Sequence, residues 1–486
     1  MNVVFVYSLD DVQSSKTPLR SQEQIQFGIS YISSFLEKNG HNTKLIVLSK
    51  IFGGAYKAII DKCVKEFSPK IFCFTAISSE YNFILAVAKY VKMKYPDIYL
   101  LIGGCHVSLN PTSISLNDLD ALCIGEGEMP TLELISQLEN GLLPSTIPNL
   151  WIKRNDGIEK NSTRPFLQDL DTLPFPDREM WQDWIDEELG ARISILLGRG
   201  CPFECTYCCN DALKKISDGR YVRVRSVDNI LAEIENIVTT YPEKKEINLE
   251  VESFGVNTSW AIKLCNELEN FNKTIKEPLS FGVNLRVAAG VDYVSLFVAL
   301  KRANFKFINI GLESGSERLR REVLRRNYSN DEIIAVVRLA RANGLKVTLF
   351  NMIGIPGETQ LDFRETVKLN RMCLPDNHYG TVIFFPYPGT EIYSLCKKNG
   401  LLKDELDAGM ERRKAILDLP GFSKKQIQKS YLWFDYYVYK GYSPLPKILM
   451  RVLVLKLKEN PYLNLFFREF MRLPLVKKIR RALTRW

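Results

Sequence analysis

Three cysteines stand within eight residues, in the run Gly198-Arg199-Gly200-Cys201-Pro202-Phe203-Glu204-Cys205-Thr206-Tyr207-Cys208. Thiolates separated by three and then two residues can wrap one compact metal centre from a single loop, and soft sulfur ligands suit iron and sulfide. Three ligands on a four-iron cube leave one iron open, able to chelate the amino and carboxylate groups of a small molecule. A structural zinc site asks for four ligands, normally as two separated pairs. No second Cys/His pair is present. Cys63, Cys73, Cys105, Cys123, Cys265, Cys373 and Cys396 sit singly among apolar residues and read as small buried hydrophobes.

The loop follows an apolar run, Ile193 to Leu197, that reads as the first strand of a strand–helix alternation ending near Glu391. Further strands are expected at Glu246 to Val251, Ser280 to Asn284, Phe307 to Gly311, Lys346 to Ile353 and Gly380 to Phe385, with helices such as Val227 to Thr240 and Asn330 to Asn343 between. Six such units predict an open (β/α)6 barrel with its chemistry at the strand C-termini. Residues 1 to about 145 alternate in the same way and predict a five-stranded doubly wound, Rossmann-like domain, which binds ligands beyond the C-terminal ends of its strands. Glycines stand there, in Gly103-Gly104-Cys105-His106 and Gly125-Glu126-Gly127-Glu128, and let a ligand approach the backbone. Residues 146–188 read as a linker holding a hairpin turned at Asn155-Asp156-Gly157, the barrel occupies 189–400, and 401–486 read as mostly helix.

With these elements in place, the sequence resembles the radical S-adenosylmethionine superfamily over nearly its whole length. The resemblance implies that Cys201, Cys205 and Cys208 hold a 4Fe-4S cluster whose electron splits S-adenosylmethionine into methionine and a 5′-deoxyadenosyl radical. Tyr207 belongs to the same motif, and Cys209, outside it, is expected to be a bystander. Glu250 and Glu252 resemble the place that receives the methionine amino group. Gly311-Leu312-Glu313-Ser314-Gly315-Ser316 resembles the ribose-contacting segment, with Glu313 and Ser314 as its polar residues. Ile353-Gly354-Ile355-Pro356-Gly357-Glu358 resembles the adenine-side turn, and Phe385-Pro386-Tyr387-Pro388-Gly389-Thr390 the closing motif of the subgroup.

The order of domains is similar to the cobalamin-binding branch of that superfamily, which includes the anaerobic magnesium-protoporphyrin cyclase and radical methyltransferases. Gly103, Gly104, His106, Gly125 and Glu126 then stand where corrinoid contacts fall, with Thr75-Ala76-Ile77-Ser78 beside them. The first loop reads Ser8-Leu9-Asp10-Asp11-Val12-Gln13, without the histidine of an Asp-x-His-x-x-Gly run, so cobalamin would be held without a histidine ligand. With cobalamin the implied reaction is C-methylation of an unactivated carbon. The alternatives are a radical cyclisation or rearrangement without methyl transfer, and a non-catalytic cobalamin-binding protein. A methylthiotransferase acting on tRNA would need a second set of cluster cysteines and a basic RNA-binding module, and neither is visible.

Net charge is +9, and residues 447–486 carry eleven lysines and arginines against Glu459 and Glu469, so everything before them is neutral overall. A basic surface spread over the enzyme, as a nucleic-acid binder shows, is therefore absent. Leu475, Val476, Ile479, Ala482, Leu483 and Trp486 fall on one helical face, with Lys477, Lys478, Arg480, Arg481 and Arg485 opposite. That tail is either a cap packed on the barrel or a helix on an anionic membrane surface, the second making the protein a cytoplasmic enzyme peripheral to the inner face of the membrane. The expected partners are a small-molecule or lipid-linked substrate and a reductant such as flavodoxin or ferredoxin. With no leader or long apolar run, a cytoplasmic location keeps the thiols reduced.

Overall fold

The computed structural model describes residues 1–10, 12–186, 192–376, 380–402, 406, 408 and 411–472. The basic tail from residue 473 onward, with the amphipathic pattern expected of it, lies outside the described residues. The first sheet holds β1 (Asn2–Ser8), β2 (Asn42–Leu48), β3 (Ile71–Thr75), β4 (Tyr99–Gly103), β5 (Ala121–Cys123), β6 (Leu150–Arg154) and β7 (Gly157–Lys160), in the order β2-β1-β3-β4-β5-β6-β7. The first five strands are parallel, and their order reverses beside β1, between β1 and β3. This is the doubly wound arrangement read from the sequence, in its flavodoxin-like order.

The hairpin extends this sheet from five strands to seven, because β6 pairs antiparallel with β5, Ala121 opposite Ile152. Leu150 and Ile152 are thereby buried, while β7 closes the edge with the exposed Ile158 and Lys160. Val4, Val6 and Phe72 pack one face of the sheet, and Val3, Phe5 and Ile71 pack the other, each under its own layer of helices.

The second sheet holds β8 (Arg192–Leu196), β11 (Glu246–Phe254), β12 (Ser280–Leu285), β13 (Phe305–Glu313), β14 (Lys346–Ile353) and β15 (Thr381–Ile383). All six are parallel and lie in sequence order, with β8 and β15 as edges, so the barrel is open. Between β8 and β11, a two-stranded ladder joins β9 (Gly198–Arg199) to β10 (Arg223–Val224). Along β11, Ile247 and Leu249 face the helices while Asn248, Glu250 and Glu252 alternate onto the barrel interior. The outer helices are capped by their sequences: Ser329 and Glu332 form a capping box on Asn330–Ala342, and Thr359 and Asp362 form another on Gln360–Cys373.

The two sheets are joined by buried charge. Glu233, on helix Val227–Thr240, accepts from Arg178 at 2.6 Å and from Arg225, and both guanidiniums are almost inaccessible. Arg225 also reaches Tyr31 of the first domain, and Trp181 donates to Ser30 at 2.8 Å. Beyond β15, helices Lys424–Leu432, Phe434–Tyr439 and Leu445–Lys458 pack against the end of the barrel around Ile355, Phe422 and Ile427, and Pro461–Arg472 packs on Leu445–Lys458. No helix among the described residues is long and apolar enough to cross a membrane.

Candidate functional site

The cysteine loop leaves β9 at Gly200, whose φ of +87° is open to glycine and whose missing side chain leaves room for the carbonyl of Tyr221. Cys201 and Cys205 are buried and Cys208 is half-buried, and all are free thiols. They lie within electrostatic reach of one another: with burial as the main cause, the charges of Glu252, Cys208 and Cys205 help push Cys201 up to about 11. Among the described residues, no three His, Cys, Asp or Glu side chains close around a single metal ion. The loop suits a larger inorganic centre, and one donor is already aimed at it: Arg286, next after β12, donates from Nη1 to Cys205 Sγ at 2.7 Å. Its guanidinium stacks 3.5 Å from the Phe203 ring centre, so its charge is held against the loop. A hydrogen bond to sulfur stabilises a thiolate, the form in which cysteine binds iron.

Glu250 and Glu252 share a face of β11 but lie in different surroundings. Glu250 sits deep in the barrel among Ser194, Asn248 and Asn284, and burial, then the charge of Glu23, pushes it up to about 7. Glu252 is exposed at the strand end, beside Cys201 and Cys208. At the end of β13, Glu313 takes the left-handed φ of +64°. Its carboxylate meets Arg326 at 3.1 Å, and the Arg326 guanidinium lies 5.9 Å from the Tyr207 ring centre. A non-glycine residue in that region carries strain, which here turns Glu313 and its arginine toward the cysteine loop. Ser314 is fully buried beneath them, its hydroxyl within 3.4 Å of Thr366.

The turn after β14 is stapled from below. Glu358 Oε2 accepts from the backbone N–H of Gly354 and, at 3.0 Å, of Ile355. Gly354 and Gly357 hold φ of +89° and +77°, and a side chain at Gly354 would crowd Ile427. Glu358 is buried, its Oε1 has no partner among the described residues, and burial pushes its carboxyl up to about 8. The folded chain therefore binds this proton more tightly than the unfolded chain, and stability falls as pH rises from about 4.5 through about 8. Glu358→Gln removes that slope. Urea unfolding from about pH 5 to about pH 8 is expected to show the wild type losing on the order of 3 kcal/mol relative to the variant. Parallel courses for the two proteins would refute the buried proton.

Facing the cysteine loop, the C-terminal edge of the first sheet opens into a cavity of about 350 Å³. It runs between the sheet and helices Phe27–Lys38 and Glu128–Glu139, past Phe5, Cys73 and Leu101, and ends at Arg199 and Gly200. Gly103, Gly104, Gly125 and Glu126 line it. Gly104, at φ +102°, must be bare because a side chain would meet Ala76 O at 2.7 Å. A long, mainly apolar slot with a glycine rim suits the heterocyclic tail of a corrinoid, so the residues present fit that group. His106 is not part of this wall: burial holds it below its usual range, its Nδ1 lies 3.0 Å from Ser78 Oγ, and its ring packs on Tyr81.

Glu126 does more than line the cavity. It meets Arg199 at 3.0 Å and Arg223 at 2.9 Å, and Glu128 meets Arg199 at 2.6 Å. Against the opposing effect of burial, the two arginines hold Glu126 below the usual carboxylate range. The glycine-rich loop of the first domain is thus latched onto the ladder that begins the cysteine loop. Cys105 departs from the sequence expectation as well. It is half-buried and hydrogen-bonds Cys209, because helix Cys105–Leu109 packs on Cys209–Leu213, whereas Cys63, Cys73, Cys123, Cys265, Cys373 and Cys396 are buried as expected. Sequence reasoning missed Arg199, Arg223, Arg286 and Arg326. Only Arg199, inside the motif, and Arg286, directly after a strand, carried a signal of place.

Residues 195–369 match the family model described as the Radical SAM superfamily, and residues 20–135 match that of the B12 binding domain. The chain is 26% identical over 405 residues to an uncharacterized methyltransferase of Pyrococcus horikoshii, covering 83% of this chain and 85% of that one. It is 23% identical to the anaerobic magnesium-protoporphyrin IX monomethyl ester cyclase of Rubrivivax gelatinosus, over 75% of this chain and 65% of that one. Among solved structures, the radical S-adenosylmethionine methyltransferase TsrM of Kitasatospora setae, with cobalamin and a 4Fe-4S cluster bound, superposes with a TM-score of 0.68 at 15% identity. That superposition covers 91% of this chain and 89% of TsrM, a likeness of fold.

Proposed function

The chain belongs to the radical SAM superfamily, in the branch that carries a B12-binding domain, and from this premise we infer that it methylates an unactivated carbon. Its cofactors are a 4Fe-4S cluster, S-adenosylmethionine and cobalamin. The observation that carries the reading is the joint between the halves: the glycine-rimmed slot of the first domain ends on Arg199 and Gly200, the residues that lead into the cysteine loop. When bound, the cluster supplies the electron that cleaves S-adenosylmethionine, and cobalamin supplies the methyl group.

In this reading Cys201, Cys205 and Cys208 are the cluster ligands, and Arg286 offsets the negative charge that three thiolates bring to one loop. Glu252, at the mouth of the barrel, receives the amino group of methionine. Glu250 lies below it and holds Asn248 and Asn284 in place. Glu313 accepts the ribose hydroxyls while Arg326 fixes its carboxylate, and Tyr207 walls the same space. Ser314 supports that turn from beneath. Gly354 and Gly357 keep the adenine-side turn bare, and Glu358 holds its backbone shape. Gly103, Gly104 and Gly125 admit the corrinoid, with Glu126 at its rim and His106 bracing the loop through Ser78. The domains are 1–145 for cobalamin, 146–188 as a connector whose hairpin completes the first sheet, 189–400 for the radical barrel and 401–486 as the C-terminal region. A small-molecule or lipid-linked substrate enters at the barrel mouth, an electron donor such as flavodoxin or ferredoxin serves the cluster, and the enzyme works in the cytoplasm with its tail on the inner face of the membrane.

The test is anaerobic incubation of the reconstituted protein with S-adenosylmethionine, cobalamin, candidate acceptors and a reductant. Both 5′-deoxyadenosine and S-adenosylhomocysteine are expected. Deoxyadenosine alone would replace methyl transfer with a cyclisation or rearrangement, the second reading that the cyclase relative favours, and neither product would overturn both.

A further inference from the structure

Surface helices ordinarily turn their apolar stripe inward and their polar side to water. Helices Leu445–Lys458 and Pro461–Arg472 turn an apolar stripe outward as well. Their inner side is already engaged: Ile448 is buried, Arg451 meets Asp435 at 3.3 Å, Gln428 meets Glu459 at 2.5 Å, and Arg468 donates to the Val12 carbonyl at 3.0 Å. On the outer side, Leu445, Leu449 and Leu453 repeat every four residues with Met450 beside them, all exposed. Tyr462, Phe466 and Phe470 repeat in the same way on the second helix, with Leu463 alongside. Phe466 is 70% exposed and Tyr462 64%, values far from those of a side chain packed on its own protein.

At one hundred degrees per residue, Lys456 lies on the same face as the stripe, one turn beyond Leu453, and Lys447 flanks it on the far side of Met450, both exposed. An apolar strip with one lysine at its end and another at its flank is the pattern of a helix lying in a lipid interface, where long basic side chains reach up to the headgroups. The charge of the chain points the same way. Its whole net charge of +9 resides in residues 447–486, which opposes self-association through this face and favours an anionic surface.

We propose that the outer face of these two helices is a docking surface for an anionic lipid bilayer. Leucines, methionine and aromatic rings enter the interface, and Lys447 and Lys456 meet the headgroups. The inference deepens the peripheral-membrane part of the proposed function by giving it a surface of its own, and it is independent of the radical chemistry.

The full-length protein is sedimented at low salt with vesicles of phosphatidylcholine alone or mixed with phosphatidylglycerol. Wild type is expected to pellet with the mixed vesicles only, and the variant Leu453→Ser/Phe466→Ser/Phe470→Ser to bind at least about tenfold more weakly. To separate loss of binding from loss of folding in the variant, hydrogen exchange is also followed in the wild type, where mixed vesicles should slow residues 445–472. No pelleting, equal pelleting of variant and wild type, or exchange already slow without vesicles would overturn the proposal. So would a wild-type dimer that becomes monomeric in the variant, which would assign the face to a second copy of this chain. Deoxyadenosine formed by a protein that ignores vesicles would remove this inference and leave the radical reading standing.

Discussion

Replacing Cys201, Cys205 or Cys208 by alanine is expected to abolish 5′-deoxyadenosine formation and to strip the protein of most of its iron and sulfide after anaerobic reconstitution. The loop is short and each thiol is a separate corner of the proposed centre, so removing one leaves two ligands for a cluster that needs three. The fold should survive, because Cys201 and Cys205 lie in a loop between the ladder and helix Cys209–Leu213 rather than in the packed layers. Far-ultraviolet circular dichroism should therefore match wild type. Alanine at neighbouring Cys209 should leave iron content unchanged, since that thiol, which hydrogen-bonds both Cys105 and Cys208, stands outside the three-cysteine spacing. Iron and nucleoside production untouched in all three ligand variants would end the radical reading.

The second large effect concerns stability. Glu233→Leu should destabilise the protein by about 3–5 kcal/mol, because it leaves the Arg178 and Arg225 guanidiniums buried without their shared anion. Arg178 Nη1 already lacks a partner among the described residues, so the site has no spare acceptor to offer. The two arginines would still hold the carbonyls of Ser194 and Leu196, at 2.7 and 2.9 Å, but neutral acceptors do not balance two charges. Replacing all three residues together by Met, Leu and Met should recover most of the loss, since burying apolar groups carries no such desolvation cost. Urea midpoints measure both. A Glu233→Leu midpoint equal to wild type would show that water reaches the site.

The difference between these two predictions follows what a sequence can display. Each parallel strand announced itself as a short β-branched run, so Val3 to Tyr7 and Lys346 to Ile353 were legible to within a residue or two of their observed ends. The cysteine spacing was legible because all three residues sit in one loop. Contacts between distant segments leave no local pattern. Glu126 looked like a ligand of the corrinoid because it neighbours glycines at a strand end, and nothing in residues 120–130 reveals that Arg199 and Arg223 come to meet it. Arg326 likewise carries no local pattern, and the left-handed turns at Glu313 and at the preceding Arg325 bring it to bear. The hairpin was visible through Asn155-Asp156-Gly157, whereas its place beside β5 depends on which sheet edge remains open, a property of the assembled fold.

The pairing of Glu126 and Glu128 with Arg199 and Arg223 also bears on ancestry and on engineering. A gene fragment starting after residue 145 would inherit two cations whose counter-charges had stayed behind, along with an edge strand whose bridge from Ile193 to Gln22 was lost. Such a fragment should be poorly expressed and hard to keep in solution. The two halves are therefore expected to be inherited as a single unit, with substitutions at these four positions changing together across descendants and not drifting one at a time.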